Sequence, residues 1–234
     1  MRERGSTGIS YCPLPVTFRL AIVRHGQTRA NLEGRFSGKT EVNLTPLGHK
    51  MAEAVAESPL MAHAKRIFCS PQRRAVTTAG TVARKLALPT PTAHDGLREL
   101  EFGDWEGCRP AEVQNTVAYE RWKESPFLFG PPNGEAGLVL LSRAFNALCL
   151  ALNSDPDCAI VTHKSPARLL SAVLTNSNLH RFRDLPGYFV SSVTYIEMVD
   201  GRLCRFVPPN VDHLPTAWRS DPDRLSPEGK TNAD

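Results

Sequence analysis

The 234-residue sequence predicts an α/β layered fold on three observations. Short, β-branched apolar runs alternate along the chain with helical stretches, the pattern of strands covered by helices. Two of these runs stop at a histidine, His25 and His163, and a third leads through Ser70-Pro71 into a segment that opens with Arg73-Arg74. In open sheets ligands bind beyond the carboxyl ends of the strands, so the three ends mark one candidate site.

Phe18 to Val23 (FRLAIV) reads as the first buried strand, stopping at Arg24-His25-Gly26. Thr45 as N-cap and Pro46 in the first helical position open a helix to Glu57, because proline lacks an N–H that this position would leave unused. Lys65 to Cys69 is the second strand, and Ser70-Pro71 repeats the cap-and-proline signal for a helix to Leu86. Asp95 to Gly107, acidic and with two glycines, reads as a loop or short edge. Ala111 to Lys123 is a helix, Phe127 to Gly134 a break, and Glu135 to Leu152 a further helix. Ala159 to Thr162 is the third buried strand. Arg168 to Leu174 is helical, and Val193 to Val199 pairs with Leu203 to Val207 in a hairpin around Asp200-Gly201. Residues 1–17 and 215–234 read as polar tails around one domain, 18–214.

Composition excludes several classes. Lys plus Arg is 28 and Asp plus Glu 24, a net +4 that is dispersed along the chain. Nucleic-acid binders show a clustered basic stripe instead. No uninterrupted apolar run reaches the ~18 residues of a membrane span. The six cysteines include no C-x-x-C pair and lack zinc-ligand spacing. They are expected to be reduced thiols, mostly core fillers, in a cytoplasmic protein.

Four constellations carry chemistry. In Arg24-His25-Gly26-Gln27-Thr28-Arg29-Ala30-Asn31, an imidazole can attack phosphorus while an arginine holds phosphate oxygens bidentately and a glycine admits the backbone. In Ser70 to Ala79 (SPQRRAVTTA), arginines stand in the first helical turn, against the positive end of the dipole; a bound anion offsets that cost, as does solvation of the turn. Leu97 to Gly107 (LRELEFGDWEG) offers Glu99, Glu101, Asp104 and Glu106, and a partly buried carboxyl beside phosphate can serve as proton donor. Val161-Thr162-His163-Lys164-Ser165 brings a second histidine to a strand end.

Together these motifs, with Leu44 to Gly48 (LTPLG), Pro131 to Gly137 (PPNGEAG) and the closing Asn210-Val211-Asp212-His213-Leu214, resemble the histidine phosphatase superfamily in order and spacing over residues 18 to 214. The resemblance implies a three-layer α/β/α, phosphoglycerate-mutase-like fold with a mostly parallel central sheet. It implies that His25 is the nucleophile, Glu99 the general acid, and Arg24, Asn31, Arg74 and His163 the phosphate pocket, with no metal or other cofactor. Arg74 rather than Arg73 matches, since it directly precedes Ala75 and stands four residues before Thr78.

The implied partner is a small-molecule phosphate ester, with neither nucleic acid nor membrane. Mutases of the family carry a long insertion before the proline motif; here only Cys108 to Gly130 intervenes, which favours hydrolysis. The stretch from Gly34 to Thr45 resembles the small-molecule phosphatase branch that includes α-ribazole phosphatases, with Ser37 and Gly38 as substrate contacts. Gly34 to Thr40 also reads G-x-x-x-G-K-T, one residue short of a nucleotide-binding loop and not directly preceded by a strand. Two positions depart from the family. Lys164 stands where His163 is usually followed by glycine, and is expected either to select a second anionic group or to crowd the pocket. Ala136 replaces a frequent serine. A non-catalytic binding module is the reading that Lys164 alone favours; it needs neither His25 nor Glu99.

Overall fold

The computed structural model describes residues 13–219. Six strands form one mixed sheet: β1 (Phe18–Arg24), β2 (Arg66–Cys69), β3 (Thr92–Ala93), β4 (Asp157–Thr162), β5 (Val193–Val199) and β6 (Arg202–Asn210), in the order β3-β2-β4-β1-β5-β6. The first four are parallel, while β5 runs antiparallel to β1 and β6 to β5. The expected three layers follow from strand alternation, since successive side chains of a strand point to opposite faces. Leu20 and Ile22 of β1 and Ile160 of β4 enter one core, with α6 (Gly137–Ser154) and α7 (Lys164–Leu174). Ala21, Val23 and Val161 enter the other, with α2 (Pro46–Val55) and α3 (Arg73–Lys85). Each fully buried Leu, Ile or Val contributes roughly 1.5–3 kcal/mol, so the parallel strands are anchored from both sides.

Most expected elements are present, and the differences have local causes. Helix α7 starts at Lys164, one turn before the expected Arg168, because Glu99, distant in sequence, accepts its first N–H groups. The single helix expected over 111–123 is two, α4 (Pro110–Val113) and α5 (Val117–Glu124). Thr116 divides them: its hydroxyl donates to the Val113 carbonyl and accepts from the Tyr119 N–H that opens α5. Helix α3 is entered at Gln72, not Ser70, and Ser70 Oγ instead accepts from the Gln72 N–H. Helix α6 starts at Gly137 rather than Glu135, whose carboxylate pairs with Arg143. The two-residue β3 and the four-residue α1 (Arg29–Leu32) are too short to show a period. The hairpin turns as expected at Asp200 and Gly201, both at positive φ (49° and 74°), the geometry that favours Asp-Gly.

The 18-residue α6 is long and apolar enough to cross a membrane, unlike anything the sequence reading expected. Its Leu140, Ala144, Ala147, Leu148, Ala151 and Leu152 are buried in the domain and its Arg143 is paired, so it is a core helix. Buried Cys69 and Cys158 fill the core as expected, and burial pushes their thiols up to about 11 and about 12; Cys204 is exposed and Cys108 half-buried, while Cys12 lies outside the described residues. Most of the two expected tails also lies outside them. Of the remainder, Leu14 packs on the larger core, and Arg219 donates to the Leu214 and Asp212 carbonyls.

At the end of the sheet away from the candidate site, Asp157 pairs with Arg19 (2.7 Å) and Lys65 (2.9 Å). The bond from Arg19 is the main cause holding the Asp157 carboxyl well below the usual carboxylate range; Lys65 adds to it and burial opposes it. A depressed folded pKa gives stability that is fully present above the unfolded value of about 4 and lost as pH falls through the folded value. Urea midpoints should therefore show wild type above Asp157→Asn at pH 6, with the gap narrowing below pH 4. A gap independent of pH would mean that the ion pairs contribute nothing.

Candidate active site

The sheet register brings the predicted residues together. Arg24 is level with Thr162 and Cys69 with Val161, so His25, His163 and Ser70 follow three adjacent parallel strands at one height. The imidazoles of His25 and His163 stand 5.1 Å apart, edge to face. Arg24, His25, Arg74, Glu99 and His163 are all buried.

The first motif is fixed by close packing. A Cβ on Gly26 would lie 2.5 Å from the Gly48 carbonyl oxygen, and one on Gly48 would lie 2.1 Å from that of Gln27. Both glycines are therefore required for the His25 loop to touch the first turn of α2. Thr78 adds a strut from α3, accepting from the Gly26 N–H at 3.0 Å. His25 Nδ1 stands 2.7 Å from the Gly26 carbonyl. A carbonyl only accepts, so Nδ1 carries the proton and the lone pair of the neutral ring is on Nε2.

Arg74 reaches back from α3 as a hub. Its Nη1 donates to Thr40 O at 2.9 Å, its Nη2 to Ser37 O and Gly38 O at 3.1 and 3.0 Å, and its Nε to His163 Nδ1 at 3.2 Å. Burial is the main influence on this guanidinium and lowers its pKa, with Glu99, Glu41 and Glu106 opposing. The carbonyls offset the unfavourable helix position that a bound anion was expected to offset, and the Glu41 carboxylate accepts from the Arg73 N–H at the same helix end. Because Arg74 Nε donates to Nδ1, the proton of neutral His163 is on Nε2, which is buried and has no partner among the described residues. Burial, then the electrostatic influence of Arg74, His25 and Arg24, push His163 well below the usual histidine range, so it is neutral at neutral pH.

Glu99 sits on the N-terminus of α7. Its carboxylate accepts from the N–H groups of Leu100 (2.7 Å), Lys164 (3.1 Å) and Ser165 (3.3 Å). Half-buried Lys164 thus begins α7, where a cation is unfavourable, with a carboxylate at hand to offset it. The other acids of the stretch are engaged elsewhere: Glu106 accepts from the N–H groups of Gly38 and Thr40, Glu101 pairs with Lys39, and Asp104 accepts from Asn133. The expected phosphate contact Asn31 is oriented by its Oδ1, which accepts from the Thr28 N–H and hydroxyl in the capping of α1. The expected substrate contact Gly38 has both backbone groups bound within the protein, its N–H to Glu106 and its carbonyl to Gln72 and Arg74. Ser37 Oγ is buried with no partner among the described residues.

The sequence reading missed two positioning residues. Buried Gln72 donates to the Gly38 carbonyl and accepts from the Glu99 N–H, tying the loop under Arg74 to the acid. Arg143 pairs bidentately with Glu135 and donates to the carbonyls of Gly96, Arg98 and Glu99. This pair, rather than the dipole of α6, holds the Glu135 carboxylate. Neither role leaves a local pattern: each residue acts through backbone far away in sequence.

Fixed guanidinium and imidazole groups at the ends of parallel strands suit a tetrahedral oxyanion such as phosphate. Comparison gives the family: the model of the histidine phosphatase superfamily (branch 1) matches residues 20–210, and the chain belongs to that family. It is 32% identical over 163 residues to adenosylcobalamin/alpha-ribazole phosphatase of Salmonella typhimurium, covering 67% of this chain and 79% of that one. With glucosyl-3-phosphoglycerate phosphatase of Mycobacterium tuberculosis it shares 27% identity over 215 residues, 87% and 92% of the two chains. Two other curated relatives are matched over only 43% of their own length, across 89 and 157 residues. The solved structure of Bacillus stearothermophilus YhfR superposes with a TM-score of 0.74 at 28% identity, covering 83% of this chain and 98% of that one.

Proposed function

We propose that this histidine phosphatase hydrolyses a small phosphomonoester in two steps through a phosphohistidine on His25. The observation that carries the reading is the His25 Nδ1–Gly26 carbonyl bond, which leaves the Nε2 lone pair as nucleophile. In the first step that lone pair forms the N–P bond, the P–O ester bond breaks, and Glu99 gives its proton to the leaving oxygen. In the second, Glu99 takes a proton from water as its oxygen attacks phosphorus, and the P–N bond returns its electrons to His25. Arg24 and Arg74 neutralise the phosphoryl oxygens, and the Nε2–H of His163, which has no partner among the described residues, donates to one of them. No step requires a metal. The relatives' names give phosphate esters of small metabolites as the substrate class, and the free thiols fit a cytoplasmic location.

A panel of phosphate esters assayed in excess chelator tests the reading, with inorganic phosphate release as readout. Activity is expected to survive chelation; activity lost to chelator and restored by a divalent ion would overturn the metal-free mechanism. Glu99→Gln should cost alkyl phosphates about tenfold or more beyond its cost to aryl phosphates, which need little protonation. Equal losses would reduce Glu99 to a cap on α7.

Lys164 follows His163 directly, and its ammonium can select a second anionic group. Lys164→Ala should then raise KM severalfold for a doubly anionic ester with kcat unchanged, and leave a simple aryl phosphate alone. An equal response from both substrates, or none, would leave Lys164 with no part in selection.

A further inference from the structure

We propose that His213 is a positioning residue for the phosphate site, acting through Ser191 on Arg24 and His25. The starting point is a strained turn. Ser192 N–H donates to the Phe189 carbonyl, and Ser191, third in that turn, has φ 58°. This left-handed conformation favours glycine or asparagine, and a serine holds it only where its surroundings impose it. The serine side chain is not the cause, because its hydroxyl is buried with no partner among the described residues.

The backbone is the cause, and both of its polar groups lead to function. Ser191 N–H is shared between the carbonyls of Arg24 and His25, each at 3.1 Å, so it fixes the direction in which β1 releases these two side chains. The residue just before this turn grips Arg24 a second time, since Arg24 Nη1 donates to the Tyr188 carbonyl at 2.7 Å. On the far side His213 Nε2 stands 2.9 Å from the Ser191 carbonyl, and since a carbonyl only accepts, the ring donates there. Its Nδ1 is buried with no partner among the described residues, so that one bond orients the ring. Apolar packing presses the two segments together: Val190 of the turn and Leu214 beside His213 share a buried cluster with Met51 and Ala54 of α2. The segment carrying His213 thus braces, from behind, a turn that holds the guanidinium and backbone of the phosphate site. In a phosphoryl-transfer site, where positioning supplies most of the catalysis, such a brace bears on rate rather than on folding alone.

This inference rests on the assignment of Arg24 and His25 under Proposed function, and the test separates the two. Three variants of the full chain are compared: His213→Phe fills the ring volume without a donor, His213→Gln carries an amide N–H near the position of Nε2, and His213→Asn carries one nearer Nδ1. Readouts are kcat and KM for an aryl phosphate and the dissociation constant of inorganic vanadate, with folding checked by circular dichroism. The expected result is that Phe and Asn each lower kcat at least tenfold and weaken vanadate at least tenfold, while Gln stays within about threefold of wild type. Should Phe fail to fold, the Gln and Asn pair gives the same decision. Kinetics and vanadate affinity unchanged in a folded Phe or Asn variant, or equal damage from Gln and Asn, would overturn the proposal. A wild type that hydrolyses no ester would overturn the proposed function, and the vanadate affinities would still decide the brace.

Discussion

His25→Ala is expected to lose at least about four orders of magnitude in kcat/KM, the scale of removing a nucleophile that no neighbour replaces. His163, 5.1 Å away, does not substitute, because its Nδ1 is occupied by Arg74 and its Nε2 carries the proton. Incubation with a labelled ester followed by a quench should leave alkali-stable, acid-labile label on wild type and none on His25→Ala. Label on the variant would move the nucleophile elsewhere. Stability should change little by comparison, since the loop is held chiefly by contacts of Gly26 and Gln27 with α2 and α3.

Arg74→Ala is expected to damage both activity and stability. It leaves the Ser37 carbonyl and His163 Nδ1 without a donor, removes the bond to the carbonyl of exposed Thr40, and leaves the Gly38 carbonyl to Gln72 alone. Each buried orphan costs about 1–3 kcal/mol, and since the groups are neighbours the costs do not add fully, so a loss of about 3–5 kcal/mol is expected. That is a large fraction of the 5–15 kcal/mol typical of a whole domain. Arg74→Lys should rescue little of it, because one ammonium cannot reproduce the fork that reaches three loop carbonyls and an imidazole at once. Urea midpoints with kcat on the folded fraction measure both effects. A Lys variant close to wild type in both would show that only the charge matters.

The contrast between these hubs and the nucleophile shows what was legible in the sequence. His25, His163 and Arg74 could be placed because strand ends and a helix start have local signatures, an apolar run that stops and a proline just before the helix. The α/β alternation was legible for the same reason, and the Asp200-Gly201 turn was dictated by its own two residues. What stayed hidden depends on partners far away in sequence. Helix α7 begins a turn early because Glu99 caps it, and Gln72 fails to cap α3 because its side chain bridges Gly38 and Glu99. Of the four acids between Glu99 and Glu106, composition marked all as candidates. Three are bound to the 39–40 loop or to Asn133, and Glu99 alone meets the end of the strand that carries His163.

The central claim is a double displacement through His25, and the stereochemical course at phosphorus tests it most directly. A thiophosphate ester made chiral with oxygen isotopes is hydrolysed in water of the third isotope, and the configuration of the inorganic thiophosphate is determined. Two in-line displacements, first by His25 Nε2 and then by water, each invert phosphorus. The account therefore expects net retention; net inversion would mean that water attacks the ester directly, and would contradict a phosphohistidine on the reaction path.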